Sequence, residues 1–122
     1  MAISYAKGVR ESVYAKCLGH CAYCGTPIEF RQMEIDHIQS KRRGGANHID
    51  NYLPSCASCN SSKATLTVEE FRERLQGDVA RLRRDSAKFR ILERVGLIKQ
   101  VKTEVVFYFE RGNKWQDRRN RK

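Results

Sequence analysis

Two pairs of cysteines carry the strongest chemistry in this 122-residue sequence. Cys21 and Cys24 form one CxxC turn, and Cys56 and Cys59 form another. Each turn presents two sulfurs to one point, so two turns supply the four thiolates of a closed, tetrahedral, structural zinc site. The 31 residues between the pairs exceed ordinary zinc-ribbon spacing and must hold an inserted unit. That insertion contains Asp36-His37, and Asn60 follows directly on the second cysteine pair. A carboxylate and an amide oxygen are hard donors that suit Mg²⁺ or Mn²⁺. Histidine titrates near neutral pH and is the natural general base beside such a cation. The fifth cysteine, Cys17, is expected to be a buried small hydrophobe.

These side chains need elements to hold them. Val9, Val13 and Cys17 recur every fourth residue and predict a short helix over 8–18, ended by Gly19. Residues 28–38 predict a β-hairpin with Ile28, Phe30, Met33 and Ile35 around a polar tip. Neighbours on a strand face opposite ways, so Asp36 and His37 can share a cation only if the strand ends at His37. A Gly- and Asn-rich loop follows over 39–53, then a short helix at about 57–64. Asn60 lies about 100° around that helix from Cys59, which lets one turn serve two sites.

The second half carries no catalytic constellation. Thr67 and Glu70 read as a capping box for a helix with Val68, Phe71, Leu75, Val79, Leu82, Phe89 and Leu92 along an apolar, core-facing stripe. Gly77 is expected to kink or split it. Gly96 is expected as a left-handed cap with Leu97 packing back. Residues 101–110 predict a strand with Val105, Phe107 and Phe109 on one face, and the last residues predict a basic, disordered tail.

The order CxxCG, Asp36-His37, Gly44-Gly45, Asn51, CxxCN and Lys63 resembles the HNH endonuclease superfamily, in its variant with Asn as the third signature residue. The similarity covers about residues 17–66. It implies an α+β fold, a ββα-metal unit framed by two zinc knuckles, with a C-terminal helical segment and strand. It implies His37 as general base, Asp36 and Asn60 as ligands of one divalent cation, and Asn51 as the residue that holds the loop and helps orient the histidine. The expected organisation is a nuclease core at 1–66, an extension at 67–110 packing on it, and a basic tail at 111–122.

Charge fits the partner that the resemblance implies. Of the net +10, residues 1–63 contribute +3 and residues 64–122 contribute +7. A positive field of that size favours a polyanion such as DNA, met mainly through its phosphate backbone. Lys63, Arg42 and Arg43 are the candidate phosphate contacts. Trp115 and Tyr108 could stack on bases, although packing roles suit them better. No apolar run spans a membrane, and the N-terminal residues lack a signal-peptide core, which predicts a cytosolic protein. The expected function is metal-dependent DNA cleavage, alone or within a larger phage or mobile-element complex. The alternative is a non-catalytic zinc-ribbon nucleic-acid-binding module, which would need neither Asp36, His37, Asn51 nor Asn60.

Overall fold

The four-residue spacing of Val9, Val13 and Cys17 folds as helix α1 over Val9–Lys16. The structure, a computed structural model, describes residues 5–111. Val13 is fully buried and forms a small core with Met33 and Tyr52, against which Val9, Tyr14, Ile28 and Ile35 pack. Cys17 caps the helix and is buried, as expected of a small hydrophobe. Lys16 reaches from the last turn to the carbonyls of Ile49 and Tyr52 at 2.5 and 2.7 Å. Arg10 does the same for Phe30 and Met33 at 2.8 and 3.0 Å, so polar and apolar contacts both fasten α1.

The strands differ from the expected hairpin. Phe30–Gln32 forms a 3-10 turn, and strand β1 is Glu34–His37. Its partner is β2, Tyr52–Ser55, paired antiparallel with Glu34 opposite Ser55 and His37 opposite Tyr52. Arg31-Gln32 is not the Asn-Gly type of dipeptide that closes a tight hairpin. All four residues of β2 are buried and offer the better partner. Pro54 disguises that strand in the sequence. It is tolerated because each strand of a two-stranded ribbon has an unpaired edge. The chain between β1 and β2 is the site loop, and helix α2, Ala57–Lys63, follows β2 directly.

Two compact units emerge. Among the described residues, the first comprises the chain up to Val68 together with residues 106–111; the second is Glu69–Val105. Helix α3 spans Val68–Asp85 and passes through Gly77 without a break, since one glycine costs a helix only about 1 kcal/mol. The break comes at Ser86, whose hydroxyl accepts the Phe89 amide at 3.1 Å and starts helix α4, Ala87–Arg94. Arg83 and Glu93 link the two helices at 2.8 Å. The stripe expected to be core is only partly so. Phe71 is buried, whereas Leu82 is exposed. Gly96 adopts a left-handed φ of 85° and the Leu97 amide donates to Leu92, but the Leu97 side chain is 75% exposed and does not pack back.

The strand expected over 101–110 does not form. Tyr108–Arg111 is a 3-10 turn in the first unit, and the Tyr108 and Phe109 amides donate to the carbonyls of Tyr23 and Ala22. The alternation of Phe107 and Phe109 serves aromatic packing instead. Their rings stack 6.4 Å apart and both meet the Tyr23 ring edge-on. The basic tail expected beyond Arg111, with Trp115, lies outside the described residues. No helix among the described residues is long and apolar enough to cross a membrane.

Candidate active site and metal centre

The two CxxC turns meet. The sulfurs of Cys21, Cys24, Cys56 and Cys59 all lie within 4.8 Å of one another, with Cys24 and Cys56 3.8 Å apart. A zinc ion about 2.3 Å from four sulfurs at tetrahedral angles would set them about 3.8 Å apart, so the four thiols fit a metal ion. Backbone bonds shape the first turn, with Cys21 donating to Thr26 and Gly25 to Cys21 at 2.8 and 3.0 Å. Cys56 opens α2, and its sulfur accepts the Cys59 amide at 3.4 Å. Hydrogen bonds from Cys59 and from nearby backbone outweigh burial and push the Cys21 thiol down to about 4. Cys59, whose proton is held against Cys21, is pushed up. Cys17 stands apart, and burial raises its thiol to about 11, so it stays protonated and inert.

A second site draws on the next residue of α2, Asn60. Asp36, His37 and Asn60 line one cavity of about 290 Å³, together with Ser40, Lys41 and Arg42. β1 ends at His37, as sharing a cavity with Asp36 requires. Asp36 is buried, and its Oδ2 accepts the Tyr23 hydroxyl at 2.5 Å and the Lys63 ammonium at 3.2 Å. Lys63 also donates to Asp36 Oδ1 at 3.3 Å and to the His37 carbonyl at 3.0 Å. Burial nevertheless dominates, and the Asp36 carboxyl is held above its ordinary range against the pull of these two donors. Burial, and then the Asp36 charge, push the Tyr23 hydroxyl far up, so it remains a donor.

The remaining groups are oriented by hydrogen bonds. Asn60 Nδ2 donates to Glu34 Oε1 at 2.7 Å, which leaves the amide oxygen for another partner. His37 Nε2 lies 3.0 Å from Asn47 Oδ1, a pairing that places the ring proton on Nε2 and leaves Nδ1 as the proton acceptor. Asn51 fastens the loop: its Oδ1 accepts the Gln39 amide, and its Nδ2 donates to the carbonyls of Gln39 and Ala46, all within 3.0 Å. Gly44 takes a left-handed φ of 87° in the same loop. A Cβ at Gly45 would sit 1.8 Å from the Gln39 carbonyl oxygen, so only glycine permits that approach.

The structure thus brings together Asp36, His37 and Asn60, and places Asn51 in the loop beside them. Arg42 stands exposed at the cavity rim, and Arg43 is exposed in the same 3-10 turn, Lys41–Arg43. Lys63 corrects the expectation of a phosphate contact. It is 0% exposed and neutralises Asp36 instead. Asn47, rather than Asn51, makes the hydrogen bond to the histidine ring. Sequence reasoning also missed Glu34 and Tyr23. Glu34 had a signal, since it stands two residues before Asp36 and so on the same face of the strand. Tyr23 had only its place inside the first CxxC.

These features define a class: a ββα unit gripping a His, Asp and Asn cluster, with four cysteines close by. Residues 21–65 match the HNH endonuclease family. Particular relatives extend the likeness. The chain is 46% identical over 44 residues to the CRISPR-associated endonuclease Cas9 of Corynebacterium diphtheriae, covering 35% of this chain and 4% of that protein. It is 40% identical over 62 residues to YoqL of Bacillus subtilis, named as a candidate HNH endonuclease derived from the SPbeta prophage, covering 42% of this chain and 26% of that one. The crystal structure of the Type II-C Cas9 enzyme from Actinomyces naeslundii shares the fold over 85% of this chain and 12% of its own, at TM-score 0.52 and 20% identity. The chain therefore spans a small part of the length of each relative.

Proposed function

We propose that this chain is a metal-dependent endonuclease that hydrolyses DNA phosphodiester bonds, by nicking or by double-strand cleavage. The observation that carries the reading is the convergence of Asp36, His37 and Asn60 on one cavity, within a segment that matches the HNH endonuclease family. Asp36 and Asn60 would hold one Mg²⁺ or Mn²⁺; Glu34 accepts from the Asn60 amide nitrogen and so leaves the amide oxygen for a cation. When bound, that cation supplies a Lewis acid for the scissile phosphate and its leaving oxygen. His37 takes the proton of the attacking water at Nδ1, while Asn47 holds the Nε2 proton. Asn51 keeps the loop closed behind the ring. Arg42 at the rim and Arg43 in the same turn meet phosphates, and the net charge of +10 steers DNA toward the site. The four cysteines hold a structural zinc. A prophage relative agrees with work inside a larger phage or mobile-element machine that supplies sequence choice.

Incubation of purified protein with supercoiled plasmid and Mg²⁺ or Mn²⁺ tests the reading. Wild-type protein should nick or linearise the plasmid, and His37→Ala should lose about 10²- to 10⁴-fold in rate, the usual contribution of a positioned base. Absence of cleavage with every divalent ion, or equal cleavage by His37→Ala, refutes it.

A further inference from the structure

We propose that Tyr23 is a positioning residue that couples the four-cysteine centre to the cation-binding carboxylate of Asp36. This inference rests on the reading of Asp36 as a cation ligand. Tyr23 lies between Cys21 and Cys24, so a metal held by those sulfurs fixes the backbone on both sides of it. The Ala22 amide donates to Pro54 at 2.9 Å, and the Tyr23 carbonyl accepts from Tyr108 at 3.1 Å. The ring itself is clamped, with Phe107 at 5.1 Å and Phe109 at 5.9 Å, both nearly perpendicular to it. Neither backbone nor ring is free to shift, and the side chain is 3% exposed.

From that clamp the hydroxyl reaches across to Asp36 Oδ2. A carboxylate offers about four lone-pair positions. Tyr23 takes one on Oδ2, and Lys63 spans one on each oxygen. Two donors on different elements fix the rotation of the carboxylate and leave a lone pair on Oδ1 for a cation. The cysteine centre thereby does more than staple two loops. It sets the position of a donor that aims the cation ligand, and its metal and the catalytic cation should bind cooperatively. A purely structural tyrosine would need its ring alone, whereas this role needs the hydroxyl.

Removing the hydroxyl with Tyr23→Phe separates the two cases. In zinc-loaded protein, Mn²⁺ affinity is titrated by electron paramagnetic resonance, alongside zinc content and the unfolding temperature. Tyr23→Phe should keep one zinc per chain and weaken Mn²⁺ binding about 10- to 100-fold, as loss of a partner that orients a ligand does. Asp36→Asn in parallel should abolish Mn²⁺ binding. If Asp36→Asn leaves Mn²⁺ binding intact, the ligand reading itself fails. If Asp36→Asn abolishes it while Tyr23→Phe stays within about twofold of wild type, the coupling is overturned. Should Tyr23→Phe not fold, Phe107→Leu loosens the clamp and leaves the hydroxyl in place. Zinc content should stay at one per chain while Mn²⁺ binding weakens, and unchanged binding overturns the proposal.

Discussion

Replacing Lys63 with methionine keeps most of a buried side chain and removes its charge. The ammonium is 0% exposed and lies 3.2 Å from a carboxylate that is itself 3% exposed. Breaking such a pair from one side costs about 3–5 kcal/mol, because the remaining charge is left buried without compensation. An exposed lysine would cost within about 0.5 kcal/mol. For a unit of this size each kcal/mol moves the unfolding midpoint by about 4–8 °C, so the midpoint should fall by at least about 12 °C. Circular dichroism melts of zinc-loaded, otherwise metal-free protein measure it. The double variant Asp36→Asn with Lys63→Met removes both charges and should regain about 2 kcal/mol over Lys63→Met alone. Adding Mg²⁺ to Lys63→Met should also restore stability, since a cation replaces the missing positive charge. A fall below about 4 °C, or a double variant no better than the single, refutes Lys63 as the buried counter-charge.

Burial holds the Asp36 carboxyl above its ordinary range, so the folded state binds that proton more tightly than the unfolded chain does. Its contribution to stability is full below the unfolded value of about 4 and is lost as pH rises through the folded one. Metal-free wild type should therefore lose ground to Asp36→Asn as pH rises across that window, while Mn²⁺ affinity of wild type should rise. A stability difference between the two proteins that does not change with pH contradicts this. Gly45→Ala would drive a Cβ to 1.8 Å from the Gln39 carbonyl, so the loop must move. A loss of at least about 2 kcal/mol and faster hydrogen exchange at the Gln39 amide are expected; wild-type exchange would rule the clash out. Asn47→Ala should lower kcat about 10-fold with little change in KM, and nitrogen NMR of His37 should show the Nε2 tautomer losing its dominance. A ring that keeps its tautomer would show that another group holds it.

The residues that gather were more legible in the sequence than the elements carrying them. CxxC spacing brings four sulfurs within 4.8 Å of one another, and Asp36, His37 and Asn60 line one cavity, while Asn51 ties the neighbouring loop and leaves the histidine ring to Asn47. The strand pairing was not legible. Ile28 to Ile35 alternates like a hairpin, while Pro54 masks the true partner of β1. Lys63 was misplaced because a lysine in the last turn of a short helix resembles a surface residue, and only the tertiary fold buries it against Asp36. Gly77 misled in the opposite sense. Its propensity cost is small beside the other seventeen residues of α3, whereas the Ser86 hydroxyl supplies a cap that starts a new helix. Asn47 and Tyr23 act through contacts that no local pattern encodes.

The clamp on Tyr23 also bears on how the chain assembles as it is synthesised. Phe107 and Phe109 lie more than eighty residues after the tyrosine they hold, with both helices of the second unit in between. That unit closes on itself: Val105 is tied back to the first turns of α3 by Arg72 at 2.7 Å and Gln76 at 2.9 Å. A nascent chain that has emerged through Val68 holds all four cysteines, Asp36, His37 and Asn60, yet lacks the two rings that fix Tyr23. Under the role proposed for Tyr23, the contacts that fix it form only after residue 109 is translated, and the helical excursion sets the delay between the arrival of the parts and their alignment.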